Sequence, residues 1–127
     1  MSDPQTPLTF EVNEKTSGRF TATLVGNDGV TPLPGATLST LVLTLYAIKA
    51  DGSDGIVNGR NAQNVLNANN VTISTGGLIT WLFQVGDTTL VEDIPFERHI
   101  ALWEWTWPAG AGKHEAILVV RNLHRVA

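Results

Sequence analysis

Apolar residues recur at every second position of this chain, and that period confines it to β-structure. Leu8, Phe10 and Val12 alternate with Thr9 and Glu11, and Phe20, Ala22 and Leu24 alternate with Thr21 and Thr23. Successive side chains of a strand leave on opposite faces, so each segment predicts a half-buried strand with one wet face. Thr40 to Ile48 differs, with Leu41, Leu43 and Leu45 on one face and Val42, Tyr46 and Ile48 on the other. Leu78 to Val85 behaves alike, Leu78 and Leu82 opposing Ile79, Trp81, Phe83 and Val85. A strand apolar on both faces is central, or is covered outside by another segment or subunit. Two more strands, Arg98 to Trp107 and His114 to Asn122, flank Pro108-Ala-Gly-Ala-Gly112. That Gly-rich connection predicts an antiparallel hairpin.

Turn signals separate these segments. Asn27-Asp28-Gly29 supplies one turn, and Pro32 and Pro34 make Val30 to Gly35 an edge or a connection, since proline cannot donate to a ladder. Asp51-Gly52, Asp54-Gly55 and Asn58-Gly59 follow in close order. Six asparagines between Asn58 and Asn70 disfavour regular strand, and Asn61 is placed to cap one short helical turn. Val71 to Ser74 reads as a short strand before a turn at Gly76-Gly77, and Asp87 to Val91 as a second helical turn capped by Asp87. About seven short strands with turns between them predict an all-β fold, an antiparallel immunoglobulin-like β-sandwich with one or two short helical turns. A jelly roll or small barrel is the alternative. Residues 1–7 read as a flexible N-terminal arm and 8–127 as a single β-sandwich domain.

The 127 residues carry eight Lys+Arg against twelve Asp+Glu, a formal charge of −4. Nucleic acid is bound through clustered cations and counterion release, so this balance argues against it as the main ligand. There is no cysteine, hence no disulfide, thiolate nucleophile or cysteine-based zinc site. No apolar run approaches the roughly 20 residues that span a bilayer, so no membrane role is expected. The polar start lacks the basic and apolar stretches of a signal peptide, which makes cytoplasmic synthesis the expectation. Asn70-Val71-Thr72 matches the glycosylation sequon, which means little without secretion.

The candidate catalytic and metal patterns are weak. Gly110-Ala-Gly-Lys113 resembles a phosphate-binding loop only superficially, having one residue between its glycines, His114 after the lysine, and a strand to follow. Asp51, Asp54 and Asn58 fail as a calcium loop, because Ser53, Gly55 and Ala62 stand where the EF-hand pattern wants its oxygen ligands and its glutamate. His99 and His114 fall on strands expected to pair, where they could hold a metal with Glu97 or Glu115, but ordinary strand histidines are the simpler account. Glu97 and Glu104 differ by an odd number and so face opposite ways, and no serine has a GxSxG setting. The expectation is a non-enzymatic protein with no catalytic residues, no cofactor and no metal.

The most informative constellation is Trp103, Trp105 and Trp107, three indoles on one strand face roughly 6–7 Å apart. Ile100 and Leu102 occupy the opposite face and also call for burial. These five residues are the candidate interface or ligand face. The indoles could form a core wall, a subunit interface, or a stacking platform for glycan. Asp3, Pro4, Pro7 and Leu8 form a candidate contact arm that would order on a neighbouring subunit.

Asn58-Gly-Arg-Asn-Ala-Gln-Asn-Val-Leu-Asn67, Val71-Thr-Ile73, Gly77-Leu-Ile-Thr-Trp81 and Asp87-Thr88 share a pattern with Glu97-Arg-His99, Leu102-Trp-Glu-Trp105-Thr106, Lys113-His114 and Asn122-Leu123. Together they resemble small immunoglobulin-like β-sandwich structural proteins of tailed bacteriophages and prophages, over most of the chain from Phe20 onward. The resemblance carries no catalytic signature. It implies a virion protein assembled in the host bacterial cytoplasm, with capsid or other virion proteins as partners and a homo-oligomer or assembly subunit as its state. Within that group a capsid decoration (cement) protein is the leading expectation and a head–tail connector, neck or tail component the alternative. A carbohydrate-binding module using an exposed tryptophan row is the other class.

Overall fold

The computed structural model describes residues 8–26, 30–49, 51–92 and 94–122, with side chains from residue 11 onward. Its strands, in chain order, are β1 (Leu8–Asn13), β2 (Gly18–Thr23), β3 (Thr40–Ile48), β4 (Asp54–Ile56), β5 (Gln63–Asn64), β6 (Val71–Ile73), β7 (Leu78–Phe83), β8 (Phe96–Trp107) and β9 (Gly110–Arg121). They form an all-β sandwich. The large sheet runs β1-β9-β8-β3-β4, with β5 also paired to β3, and the small sheet runs β2-β7-β6. Among the described residues no helix is long and apolar enough to cross a membrane.

The alternation seen in the sequence sets the two inner faces. Leu41, Leu43, Leu45 and Ala47 of β3, Ala101, Trp103, Trp105 and Trp107 of β8, and Ala116, Leu118 and Val120 of β9 are buried from the large sheet. Phe20, Val71, Ile79, Trp81 and Phe83 meet them from the small one. At the centre Phe20 stacks on Trp103 with ring centroids 6.0 Å apart, and Trp81 meets Trp103 edge-on at 5.6 Å. Such offset and edge-to-face pairs add about 0.5–1.5 kcal/mol each beyond the area they bury.

Four expectations need correction, the last of them at the β8–β9 hairpin. Every strand pair but one is antiparallel, and the exception is β1, which lies parallel to β9 with Leu8 opposite Ala116 and Asn13 opposite Arg121. The corner after β1 sends the chain into the other sheet, so β1 and β2 do not form a hairpin. Lys15 turns there at φ 54°, and Thr88 ties the corner down: its carbonyl accepts the Lys15 N–H at 3.2 Å and its hydroxyl the Thr16 N–H at 2.9 Å. The helical turn expected at Asn61 is instead the two-residue strand β5 on β3. Asn58, Asn67, Asn69 and Asn70 take positive φ, a conformation that asparagine tolerates better than most residues and that is incompatible with a helix. The second helical turn, expected over Asp87–Val91, lies two residues earlier as a 3-10 turn at Val85–Thr88; Gln84 is its N-cap, and the Asp87 carboxylate reaches back from inside the turn to accept the Gln84 N–H at 2.8 Å.

The β8–β9 hairpin closes with only Pro108 and Ala109, so Gly110 and Gly112 lie in the strand rather than in the turn. Their presence has a different cause at Gly112. Trp105 is its cross-strand partner, and a Cβ built on Gly112 would sit 2.5 Å from the indole. Gly18 and Phe83 repeat the arrangement in the small sheet, with the same 2.5 Å approach. In each sheet a large ring lies flat over a glycine, which lets it fill the core without pushing the sheets apart. Gly112→Val is expected to cost about 1–3 kcal/mol by overpacking, seen as a lower denaturant midpoint at unchanged slope. Val at the neighbouring exposed Ala111 is the control, and equal losses at both positions would contradict the close approach.

Candidate functional site

Two regions concentrate side chains beyond what the core requires. The first is a buried polar centre at the end of the sandwich where β8 begins. Arg60 and Asp87 are 3% and 0% exposed, and the guanidinium grips the carboxylate with two bonds, Nε to Oδ1 at 2.6 Å and Nη2 to Oδ2 at 3.1 Å. Asn58 Nδ2 donates to the same Oδ1 at 3.0 Å. Arg60 Nη1 donates to Gln63 Oε1 at 2.8 Å and to the Asn69 carbonyl, and the guanidinium carbon lies 5.6 Å over the Trp81 ring. The Asp87 carbonyl then faces His99 Nδ1 at 2.9 Å, and His99 Nε2 meets Glu97 Oε1 at 2.5 Å. The Glu97 carboxylate also accepts the N–H groups of Val91 and Glu92, both at 2.8 Å.

This network joins the Asn58–Asn70 loop, the 3-10 turn and the start of β8, and its charged members have partners on every side. A buried charge is tolerated only when paired and hydrogen-bonded, and that condition is met. Its chemistry is spent on holding loops: with both carboxylates and the guanidinium closed from solvent, a substrate has no access to them. The sequence pairs His99 with Glu97 only as a candidate metal site and reads Asp87 only as a cap; it joins neither to Arg60, whereas the fold makes all four one hydrogen-bonded network. The available signal was an arginine inside a turn-rich, asparagine-rich loop, where a solvated residue needs no such company.

His99 pairs across the hairpin with Leu118 and His114 with Trp103, so the register separates the two histidines along the strands. Among the described residues no group of three or more His, Asp or Glu side chains is placed to hold a metal ion. Glu97 is buried on the inner face while Glu104 lies outside beside Lys113 at 3.4 Å, on the opposite faces that their spacing requires. In the Asp51 loop the Asp51 carboxylate accepts the Ser53 N–H at 2.9 Å and the Ser53 hydroxyl at 2.6 Å, which is the turn chemistry of Asx residues. These bonds to Ser53 hold the Asp51 carboxyl below its ordinary pKa.

The tryptophan row is a core wall. Trp103, Trp105 and Trp107 are 1%, 6% and 9% exposed, so they are closed to a stacking ligand and to a neighbouring subunit alike. Burial leaves the indole N–H groups of Trp81, Trp103 and Trp105 without an acceptor among the described residues. An unmade bond costs about 1–3 kcal/mol, whereas burying roughly 150–250 Å² of ring at about 25 cal/mol per Å² returns about 4–6 kcal/mol. Burial therefore wins at each site. The contact arm at Asp3, Pro4 and Pro7 lies outside the described residues, and Leu8 opens β1.

The second region is the outer face of the large sheet, where Ile100 and Leu102 point. Ile56 of β4, Tyr46 of β3, Ile100 of β8 and Ile117 of β9 stand opposite one another in a row across four strands. Val42, Leu102 and Val119 extend the row on the same face, half-buried, and Ile48, Ile56 and Phe96 are 41%, 45% and 48% exposed. Tyr46 Oη donates to Glu115 Oε2 at 3.4 Å, and burial, with the carboxylates of Glu115 and Asp54, raises the phenol pKa. At the far end of this face Thr40, Val42, Glu104, Thr106, Ala111 and Lys113 help to line a shallow concavity of about 570 Å³. The face is apolar along its middle, charged at intervals, and has no third layer over it among the described residues.

No family model matches the chain, and no curated protein matches it.

Proposed function

We propose that the chain is a non-enzymatic structural subunit of a tailed-phage particle, a capsid decoration (cement) protein. The observation that carries this reading is the apolar row Ile56, Tyr46, Ile100, Ile117 on a sheet whose other face is already closed by the small sheet. A sandwich needs one apolar face per sheet. On the second face Ile100 is already covered by its neighbours, but Ile48, Ile56 and Phe96 stay 41%, 45% and 48% exposed, the property of a subunit that buries more surface when assembled. The buried polar centre suits the same role, since it stiffens the loops of a scaffold. Repetition in a symmetric shell would turn modest single contacts into firm attachment.

Mass spectrometry of purified phage particles from a strain carrying the gene tests the assignment. A copy number comparable to that of the major capsid protein is the expected result. A copy number equal to one ring per particle would replace decoration with a neck or tail position. Absence from the particles overturns the reading.

A further inference from the structure

We propose that the outer face of the large sheet is closed by a second copy of the chain, packed face to face about a two-fold axis that crosses the strands along the line Leu45, Ala101, Ala116. The inference rests on the assembly-subunit reading above and names the partner that this face takes. Its basis is that the face is complementary to itself.

The outward residues of β8 are Phe96, Arg98, Ile100, Leu102, Glu104 and Thr106. Their sequence reverses about Ala101, whose neighbours on either side are Leu45 of β3 and Ala116 of β9. An antiparallel copy laid over this strand sets Arg98 over Glu104 twice and the half-buried Leu102 over Ile100, which is 5% exposed in the single chain. Arg98 is exposed and makes no ion pair among the described residues, so it is available for that contact. Among the described residues Glu104 is held only by the exposed Lys113 at 3.4 Å, a surface pair of small worth. The same axis acts on β3, where Val42 meets Ile48 and Thr44 meets Tyr46.

Shape follows the charge. Phe96 and Ile48 protrude at one end of the face, 48% and 41% exposed, and the concavity of about 570 Å³ lies at the other. The axis carries Phe96 onto Thr106 and Ile48 onto Val42, two residues that line that concavity, so each copy offers a protrusion where its partner has a hollow. On β9 the axis leaves Lys113 and Glu115 beside Val119 and Ile117, which centres the contact on β3 and β8. β3 and β8, about 4.8 Å apart over about eight residues of 3.3 Å each, span roughly 250 Å². About 500 Å² over two copies is below the roughly 1,000 Å² of specific interfaces, so the dimer should be weak and dissociate on dilution.

Light scattering and sedimentation of the full chain over a concentration series provide the test. A monomer–dimer equilibrium is expected. Arg98→Glu and Glu104→Arg should each weaken it by at least about tenfold through like-charge contact, and the double variant should restore it. Phe96→Ser should weaken it without changing charge, and unchanged thermal melts of all variants show that the fold is intact. A monomer at every concentration overturns the proposal, as does an oligomer that ignores the swaps and Phe96→Ser. These outcomes are independent of whether the chain is found in particles, so the two readings fail separately.

Discussion

Asp87→Ala is expected to destabilise the fold by about 3–5 kcal/mol, the cost of leaving a buried ion without its partner. Arg60 would remain 3% exposed beneath the sandwich with only Gln63 and the Asn69 carbonyl to bond. The same substitution removes the acceptor of Asn58 Nδ2 and the reciprocal cap of the 3-10 turn at Gln84. Against a total stability of about 5–15 kcal/mol, this is a large share. Urea denaturation reads the loss as a lower midpoint. Arg60→Met combined with Asp87→Leu should recover much of it, because an apolar pair of similar volume needs no compensating charge. If the double variant is as unstable as Asp87→Ala, the lost bonds to Asn58 and Gln84 rather than the orphaned charge are responsible.

Trp103→Ala should cost a similar amount, about 3–5 kcal/mol, as the loss of a large ring from a closed core. Trp103 touches Phe20 on its face and Trp81 on its edge, which makes it the ring through which the two sheets meet. Trp107, 9% exposed at the hairpin end, has a rim on which water can replace lost contacts, so Trp107→Ala should cost less. The order of the two thermal midpoints checks this. Near-ultraviolet circular dichroism adds a separate readout, because the coupled Trp81–Trp103 pair should lose its signal only in Trp103→Ala. Equal midpoints would mean that the core has no centre at Trp103.

The polar centre shows why some of the molecule is hard to read from residues alone. Asp87 was legible as a capping residue, since its place ahead of a short turn is a local signal, although the cap proper is Gln84. That Asp87 also holds Arg60, 27 positions earlier, depends on a loop folding back across the sandwich. Asparagine density announced an irregular loop, but which asparagines would adopt positive φ was set by their hydrogen bonds, such as Asn67 Oδ1 accepting the Ile73 N–H at 3.0 Å. The histidines make the same point through register. Both were visible on neighbouring strands, yet only the pairing of His99 with Leu118 and His114 with Trp103 tells how far apart they fall.

By itself the sequence determined the strands β1, β2, β3, β6, β7, β8 and β9 and, through parity, which residues of the longer ones share a face. Alternation is a local property of an extended backbone, so it needs no knowledge of partners. The three tryptophans on one side of β8, with Ile100 and Leu102 on the other, follow from it directly. Only the tertiary structure decided which of those sides faces the second sheet, because both are apolar and parity cannot rank them. It also decided that β1 joins β9 in parallel and that Gly112 serves the Trp105 ring rather than a turn. Each of these depends on contacts between distant residues, whose free energy is absent from any local stretch of chain.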